Sequence, residues 1–350
     1  MKDYRVGVVG CGRMAGSIDD EVIGYDACIL PYSHAAAYSA IGKTSIVAAA
    51  DIDPQKLITF CTRWNVPSKY SDYREMIEKE RLDILSVTTP ATVRHEIVKF
   101  AAANGGIRGI YCEKAMCCSM AQADDIVESC KIYGVKLNVG TLRRFHAGYQ
   151  RMRDLVDSGK VGKPKVAIAY STGALMHTHS HTVDTIRFLL GDPKLIYVQG
   201  SISGAEHDKE KNMLDRDPSL VMGYASFDDD KHAFIVPSPG LYEFEIDCTE
   251  GIVRVLDNGV EWHMRVIKSP MDKWGLHVPA NFPPFDKVSP TVKCIEDLIM
   301  SMETDSETKC NPSVGRDGME LCLGMALSHL RGGAKVSHPI DDGRFYIPSH

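Results

Sequence analysis

The sequence predicts a two-domain α/β protein: a doubly wound parallel sheet over residues 1–142, then an α/β domain over 143–350 with an open, mainly antiparallel sheet. Three observations lead to this prediction. The chain has 350 residues, more than one ordinary hydrophobic core holds. In its first part, apolar β-branched segments alternate with segments of helical spacing, a pattern that implies right-handed crossovers within a parallel sheet. After residue 142 most segments are strand-like and are separated by turn signals.

The first domain is predicted from short apolar strands that are separated by helical segments. The predicted strands are 4–9, 45–50, 82–88, 109–112 and 135–139, and the predicted helices include 96–104 and 120–133. Pro54, directly after Asp53, is typical of the first turn of a helix. Gly105 and Gly134 are typical of residues that end one. The alternation therefore predicts helices on both faces of the sheet.

The second domain is predicted from fewer helices and more strands. The predicted helices are 149–158, 182–190, 290–302 and 316–330, with a strand at 165–171 and mostly strands from 195 to 266. Asp257-Asn258-Gly259 lies between two alternating runs, a strong signal for a β-hairpin. This part of the chain therefore predicts a largely antiparallel sheet.

The charge and composition exclude several classes of function. The net charge is −6 and the pI is about 6.1, so the sequence offers no broad basic surface for nucleic acid or for an anionic membrane. No apolar stretch approaches membrane-spanning length, and the short apolar start does not resemble a signal peptide. The eleven cysteines are scattered through a large chain. They indicate reduced thiols and a cytoplasmic location rather than a disulfide framework.

A glycine-rich turn follows the first predicted strand. Gly10 permits a tight turn, and Gly12 lets backbone N–H groups approach a pyrophosphate. Arg13 and Met14 open the next helix, whose N-terminus favours an anion, and Ala15 lets that helix pack close to the sheet. A strand that runs into G-x-G-x-x-A at the start of a chain predicts a dinucleotide-binding Rossmann domain.

Asp51 closes the second strand, where an acidic residue binds the adenosine ribose hydroxyls. A carboxylate there repels a 2′-phosphate, so we expect NAD rather than NADP; the alternative is a helix cap, which Asp53 could equally supply. Asp51 lies 41 residues after Gly10, whereas the usual spacing is about 20. The polar segment 19–33 therefore looks like an insertion, which either borders the cofactor or substrate site or is a solvated excursion or subunit contact.

Glu113 and Lys114 follow the predicted strand 109–112, at the edge of a parallel sheet where ligands bind. A lysine beside a nicotinamide can polarise an alcohol or carbonyl oxygen and stabilise developing alkoxide charge. The alternative is a solvent-facing pair of charged residues. The adjacent Cys117 and Cys118 are interpreted as buried small apolar residues rather than reactive thiols.

Three histidines alternate before an aspartate in the second domain. His181 and Asp184 are three apart and share one face of a helix. Histidine titrates near a pH of about 6.5, so His181 can accept the proton of an alcohol. Zinc is the rival ligand, because alternating histidines on a strand converge on a metal. On a helix His179 points away from His177 and His181, and no carboxylate or cysteine completes a ligand set, so no metal is expected.

Together these residues resemble the Gfo/Idh/MocA family, the relatives of glucose–fructose oxidoreductase and inositol dehydrogenase. The resemblance covers most of the chain. It rests on motifs in a fixed order: residues 10–15, Thr88-Thr89-Pro90 with His95, Glu113-Lys114, Arg144-Phe145 and His181-Thr182-Val183-Asp184. Two positions depart from the family pattern. Ala115 stands where the family has proline, and His177 stands where its polyol dehydrogenases often have aspartate.

The resemblance implies an NAD-dependent oxidoreductase that transfers a hydride between nicotinamide and a secondary hydroxyl of a sugar, sugar derivative or cyclitol. It implies that Lys114 and His181 are catalytic, assisted by Asp184. Further cofactor contacts are implied for Thr88, Thr89, Pro90, His95 and Glu113, and further substrate contacts for Arg144 and His177. The sheet of the second domain is expected to form a homodimer or homotetramer. The alternatives are an NAD-dependent glycosidase that works by transient oxidation, and a catalytically silent NAD-binding protein.

Two further groups of residues are candidates on weaker grounds. Trp274 and His277 lie in a proline-flanked loop and could stack on a sugar ring, although core filling or a subunit contact is the commoner fate of such a tryptophan. Arg143 lies at the domain junction and could face the substrate, with surface charge as the alternative.

Overall fold

The computed structural model describes residues 3–240, 242–269 and 274–349, which form two compact units. The first unit contains the chain up to Phe145 together with Val288–Arg316 and the segment from Pro348. The second contains His146–Lys287 and Asp317–Ile347. This arrangement differs from the single boundary expected between residues 142 and 143, because a late segment of the chain returns to the first unit.

The first unit is built on a six-stranded sheet. Its strands are β1 (Tyr4–Val9), β2 (Thr44–Ala50), β3 (Ser68–Tyr70), β4 (Ile84–Val87), β5 (Gly109–Cys112) and β6 (Lys136–Val139). All neighbouring strands are parallel and the order is β3-β2-β1-β4-β5-β6. This is the doubly wound order of a Rossmann domain, as the sequence predicts.

Seven helices of the first unit connect these strands. They are α1 (Arg13–Gly16), α2 (Ile18–Glu21), α3 (His34–Ala40), α4 (Pro54–Trp64), α5 (Tyr73–Lys79), α6 (Ala91–Ala103) and α7 (Met120–Tyr133). Side-chain caps begin several of them: Asp53 accepts from the N–H groups of α4, and Ser119 accepts from that of Gln122 in α7. Gly134, with φ of 65°, ends α7 in the left-handed conformation that suits glycine.

The helix after the glycine turn is much shorter than a continuous Rossmann helix. It breaks into the four-residue helices α1 and α2, and α2 overlaps the start of the inserted segment 19–33. Gly16 ends α1 against Trp64, whose Nε1 would lie 2.2 Å from a Cβ at this position. Close packing of α1 on α4 therefore requires glycine at residue 16.

The second unit contains a nine-stranded sheet, two complete helices and most of a third. In chain order the elements are α8 (Ala147–Asp157), β7 (Pro164–Tyr170), α9 (His179–Leu190), β8 (Leu195–Ser203), β9 (His207–Asp208), β10 (Met213–Leu214), β11 (Ser219–Phe227), β12 (Lys231–Val236), β13 (Glu243–Cys248), β14 (Gly251–Leu256), β15 (Glu261–Ile267), β16 (His277–Ala280), α10 (Pro290–Thr304), α11 (Pro312–Leu330) and β17 (Val336–Ser337). Of these, α10 and the first five residues of α11 (312–316) belong to the first unit.

The nine-stranded sheet is open and mainly antiparallel, as expected. Its order is β16-β15-β14-β13-β7-β12-β11-β8-β17, and within the described part of this sheet only β7 and β12 pair in parallel. The predicted hairpin is confirmed: Asp257, Asn258 and Gly259 all have positive φ between β14 and β15. These residue types adopt positive φ at low cost.

Helix α10 packs on β5 and β6 of the first sheet. A Cβ at Gly109 in β5 would lie 2.5 Å from Met302 Sδ and 3.3 Å from Leu298 Cγ. In β6, the buried Asn138 side chain donates to the carbonyl of Cys294 and to Asp297. This close packing explains why α10 belongs to the first unit.

None of the described helices combines the length and the apolar character needed to cross a bilayer.

Candidate functional site

The glycine-rich turn lies at the carboxyl end of β1. Gly10 has φ of +87°, and a Cβ there would lie 3.0 Å from both Cγ2 and the backbone nitrogen of Thr89, so only glycine fits without strain. Thr88 at the end of β4 donates its hydroxyl to the Gly10 carbonyl at 2.5 Å. Above Gly12, no heavy atom of the described residues lies within 4 Å of the Cβ position. The turn is therefore held from β4 and open at Gly12, where a phosphate can approach.

Asp51 braces the same turn from the end of β2. Its Oδ2 accepts the Cys11 N–H at 2.6 Å, and its Oδ1 accepts the Asp53 N–H at 2.8 Å. Each carboxylate oxygen can accept a further hydrogen bond, so these contacts leave room for ribose hydroxyls. Ile52 next to it is 92% exposed. The Asp51 carboxylate thus both supports the turn and presents negative charge beside it.

A cavity of about 310 Å³ lies between the turn and α4. It is lined by Cys11, Gly12, Arg13, Gly16, Ser17, Gln55, Lys56, Thr59, Phe60, Arg63 and Trp64. Arg13 pairs with Glu21 at 2.6 Å, and Arg63 pairs with Asp20. The glycine turn, the open space above Gly12 and the cationic lining together fit a dinucleotide.

Replacing Asp51 with asparagine is expected to lower the preference for NAD over NADP at least about tenfold, because the carboxylate that repels a 2′-phosphate is lost. Asparagine keeps one acceptor for the turn, so the fold should persist. Dissociation constants for both cofactors, measured by fluorescence titration, check this expectation. Asp72→Asn, which changes a similar capping carboxylate on α5, is the control. An unchanged preference in Asp51→Asn would contradict the assignment.

The inserted segment 19–33 is fixed at both ends. Asp19 accepts the backbone N–H groups of Tyr32 and Ser33 at 2.8 and 2.9 Å. Ser33 then caps α3 by accepting from the Ala36 N–H. The insertion therefore ends as a defined turn that places His34 at the first position of α3. Its expected role at the border of a ligand site, or as a subunit contact, remains a prediction.

Glu113, directly after β5, is buried and lies in a polar network. Its Oε1 lies 3.1 Å from Nε2 of His34, and Nδ1 of His34 lies 2.6 Å from the Ser86 hydroxyl in β4. Its Oε2 accepts the Lys114 N–H at 3.3 Å. Burial raises the pKa of the Glu113 carboxyl, but the hydrogen bond from His34 and nearby positive charges outweigh burial. The pKa is therefore lowered, and Glu113 is an anion beside Lys114.

Sequence reasoning missed His34 and Ser86. Both side chains are fully buried, and the His34 ring stacks on Tyr111 with centroids 3.9 Å apart and planes within 10°. His34 meets Glu113 across 79 positions of the chain. No local sequence pattern predicts such a contact, because the sequence around His34 shows only a serine cap at the start of a helix.

The segment after Lys114 is held from α6. Arg94, which is 4% exposed, donates from its guanidinium to the Ala115 carbonyl at 2.5 Å. The Lys114–Ala115 peptide bond is cis. Cys117 and Cys118 are fully buried, as predicted, and burial raises the pKa of the Cys117 thiol. No disulfide joins any two cysteines within the described parts of the chain.

The other predicted residues of the first unit separate into two groups. Thr89 and Pro90 follow β4 at the edge of the sheet that carries the glycine turn, together with Lys114. His95 lies in α6, with Nε2 2.7 Å from Oδ2 of Asp125 in α7. This contact joins the two helices, and the cofactor role of His95 stays a prediction. Met14 lies within α1, and Arg144 is buried in a 3₁₀ turn at Leu142–Phe145.

In the second unit, His181 and Asp184 lie in α9, which begins three residues earlier than predicted. His181 is half-buried and its ring lies edge-on to Tyr242, with centroids 5.8 Å apart. Asp184 is buried one turn further on. Asp217 accepts the backbone N–H groups of Met176 and His177 at 2.8 and 2.9 Å, which fixes the chain before the helix. Tyr242 and Asp217 were not predicted, since both lie on distant strands or loops.

The three histidines before Asp184 have different environments. His177 is exposed, His179 is fully buried, and His181 is half-buried. Burial lowers the pKa of His179 to about 4, against an opposing effect of the Gly173 backbone. Across the described residues, no group of three His, Cys, Asp or Glu side chains is arranged to hold a metal ion.

The remaining candidates lie elsewhere in the two units. Trp274 is 84% exposed, beside the undescribed residues 270–273, and His277 begins β16. Burial raises the pKa of the Cys28 thiol in the insertion, and the charge of Arg143 opposes this effect. Contact of these residues with a ligand stays a prediction.

The parallel sheet, its order and the glycine turn define a dinucleotide-binding protein of the Rossmann type. Residues 4–141 match the Gfo/Idh/MocA family model, whose description is an oxidoreductase family with an NAD-binding Rossmann fold. The resemblance in the motifs is thus confirmed over residues 4–141, the part of the chain that matches this family model.

Curated relatives include inositol dehydrogenases. An inositol 2-dehydrogenase of Pseudomonas fluorescens is 30% identical over 190 residues, which cover 51% of this chain and 55% of that protein. A myo-inositol 2-dehydrogenase of Thermotoga maritima is 25% identical over 213 residues, which cover 57% of this chain and 58% of that protein. The matched region spans little more than half the length of these relatives.

Solved structures extend the similarity of fold to nearly the whole chain. A levoglucosan dehydrogenase in complex with NADH and levoglucosan has a TM-score of 0.77 at 17% identity, and the match covers 97% of this chain and 100% of the other. An aldose–aldose oxidoreductase from Caulobacter crescentus has a TM-score of 0.74 at 18% identity, with 96% and 100% covered. These matches show that the second unit also has the fold found in these oxidoreductases.

Proposed function

We propose that this protein is an NAD-dependent dehydrogenase that oxidises a secondary hydroxyl of a sugar, sugar derivative or cyclitol. The observation that carries the proposal is the position of Lys114, directly after β5 at the carboxyl edge that also carries the glycine turn. Ligands of open α/β sheets bind at this edge. The inositol 2-dehydrogenases among the relatives and the levoglucosan complex among the similar structures support this substrate class.

Lys114 and His181 are proposed to divide the work on the substrate hydroxyl. NAD, when bound, supplies the acceptor for the hydride. The Lys114 ammonium donates a hydrogen bond to the reacting oxygen and stabilises negative charge that develops on it. His181 accepts the hydroxyl proton. Asp184, one turn away on α9, assists by orienting the His181 imidazole or by binding a substrate hydroxyl. Arg144 and His177 are proposed as further substrate contacts.

Cofactor contacts are proposed for the residues around the glycine turn and the adjacent strand ends. These are Gly10, Gly12, Arg13, Met14, Asp51, Thr88, Thr89, Pro90 and Glu113, with His95 as a more distant candidate. Of these, Glu113 also has its carboxylate hydrogen-bonded to His34.

A substrate panel with NAD tests the proposed function. Polyols, cyclitols, free sugars and matched glycosides are incubated with the protein and NAD, and reduced cofactor is followed by absorbance. Net reduction of NAD by at least one free polyol, cyclitol or sugar is the expected result. Release of sugar from a glycoside without net reduction would instead identify a glycosidase. Absence of turnover across the panel would contradict both activities.

We further propose that the chain forms a homodimer or homotetramer through its nine-stranded sheet. Met222 on β11 and Phe234 on β12 are 46% and 39% exposed, although large apolar side chains in a sheet favour burial.

The cysteines, with no disulfide among the described residues, are consistent with a reducing cytoplasm as the site of action.

A further inference from the structure

Three buried polar side chains, those of Ser86, His34 and Glu113, form a connected network that reaches the Lys114 backbone. His34 and Ser86 are 0% exposed and Glu113 is 4% exposed. A charged carboxylate in such a place is costly unless it is paired and hydrogen-bonded. A hydrophobic residue would pack these positions at lower cost, so the network indicates a role in addition to folding.

His34 has no freedom to serve another partner. Its ring is fixed from the side by Tyr111, with which it stacks at 3.9 Å. Its two nitrogens face different strands, because Nδ1 lies 2.6 Å from Ser86 on β4 and Nε2 lies 3.1 Å from Glu113 after β5. The imidazole therefore sets the position of the Glu113 carboxylate relative to both strands.

Glu113 in turn acts on Lys114. Its Oε2 accepts the Lys114 backbone N–H, and its negative charge interacts with the lysine ammonium. Gly140 also lies close to the carboxylate, since a Cβ at that residue would lie 3.1 Å from Glu113 Oε1. Both carboxylate oxygens are thus held, Oε1 by His34 and Oε2 by the Lys114 N–H.

We propose that His34 is a positioning residue for the dehydrogenase reaction, which holds the Glu113 carboxylate so that it orients Lys114 and keeps its ammonium charged. The proposal rests on the proposed function, because it takes Lys114 as the catalytic lysine. The inserted segment 19–33 acquires a purpose in this account. Asp19 holds the end of this segment at Ser33, and the next residue, His34, therefore places its imidazole beside Glu113.

Two isosteric substitutions separate this role from simple packing. In His34→Gln the side-chain amide can donate to Glu113 from near the Nε2 position, whereas in His34→Asn it reaches only toward Ser86. We expect kcat to fall by about 10- to 100-fold in His34→Asn, the scale of a misplacement of about 1 Å. His34→Gln should retain most of the activity, and the affinity for NAD should be unchanged in both.

A measurement without cofactor or substrate provides an independent test. Reductive methylation of Lys114, followed by peptide mass spectrometry as a function of pH, reports the protonation of its amine. Glu113→Gln removes the negative charge, so half-maximal labelling should move to lower pH. His34→Asn should move it in the same direction, because the buried carboxylate loses the donor that keeps it ionised. His34→Gln should stay near wild type.

The outcomes distinguish this inference from the proposed function. Equal losses of activity and thermal stability in His34→Asn and His34→Gln would show a packing role and overturn the inference. So would an unchanged labelling profile in His34→Asn when that of Glu113→Gln shifts; this comparison holds even if a His34 variant is poorly active. Wild-type turnover in Lys114→Ala would instead overturn the proposed function.

Discussion

Replacement of Lys114 with alanine is expected to lower kcat by about 10²- to 10³-fold, the typical effect of removing a group that stabilises developing oxyanion charge. The affinity for NAD should remain close to wild type, because the glycine turn and Asp51 are untouched. Steady-state kinetics with the best substrate of the panel, together with fluorescence titration of NAD, measure the two quantities.

Lys69→Ala is a matched control for this experiment, since Lys69 is an exposed lysine on β3 of the same unit. It should leave kcat and the thermal midpoint unchanged. Turnover in Lys114→Ala equal to that of wild type would exclude the catalytic role. A fall in kcat accompanied by loss of NAD binding would point to a cofactor contact rather than to charge stabilisation.

His181→Asn is expected to lower kcat by about 10²- to 10⁴-fold near neutral pH, the range attributed to a general base. The deficit should shrink as the pH rises, because solvent base then replaces the imidazole as proton acceptor. Rates of NAD reduction across the pH range, for the variant and the wild type, give the comparison.

The control for this variant is His329→Asn, which changes an exposed histidine at the end of α11 in the same unit. It should leave the pH profile unchanged. If His181→Asn lowers the rate by the same factor at every pH, His181 does not accept the proton.

The sequence contains enough information for the first sheet and for much of the second. Strands β1 and β5 begin and end at the predicted residues, and helix α7 does so as well. Apolar runs bounded by glycine or proline are local signals, and local signals are what sequence patterns record. The short α1 and the early start of α9 were missed. Both depend on packing that no window of sequence contains, such as Gly16 against Trp64.

The candidate site divides in the same way. Lys114, Asp51 and the glycine turn were predicted because each follows a recognisable strand. His34, Ser86 and Tyr242 were not, because their importance arises from contacts with residues far along the chain. His34 meets Glu113 across 79 positions, and Tyr242 meets His181 across the five strands β8 to β12 and their loops. These contacts can be explained once the fold is known, but the spacing of residues along the chain does not predict them.

The return of α10 to the first unit has a consequence for biosynthesis. Residues 288–316 are translated after the whole of 146–287, so the strands β5 and β6 leave the ribosome long before their covering helix exists. Domains that are contiguous in sequence can fold one after another during translation. Here the nascent Rossmann half must keep an apolar flank uncovered until residues 146–287 have also been synthesised, so most of the second unit is made before the first can be completed.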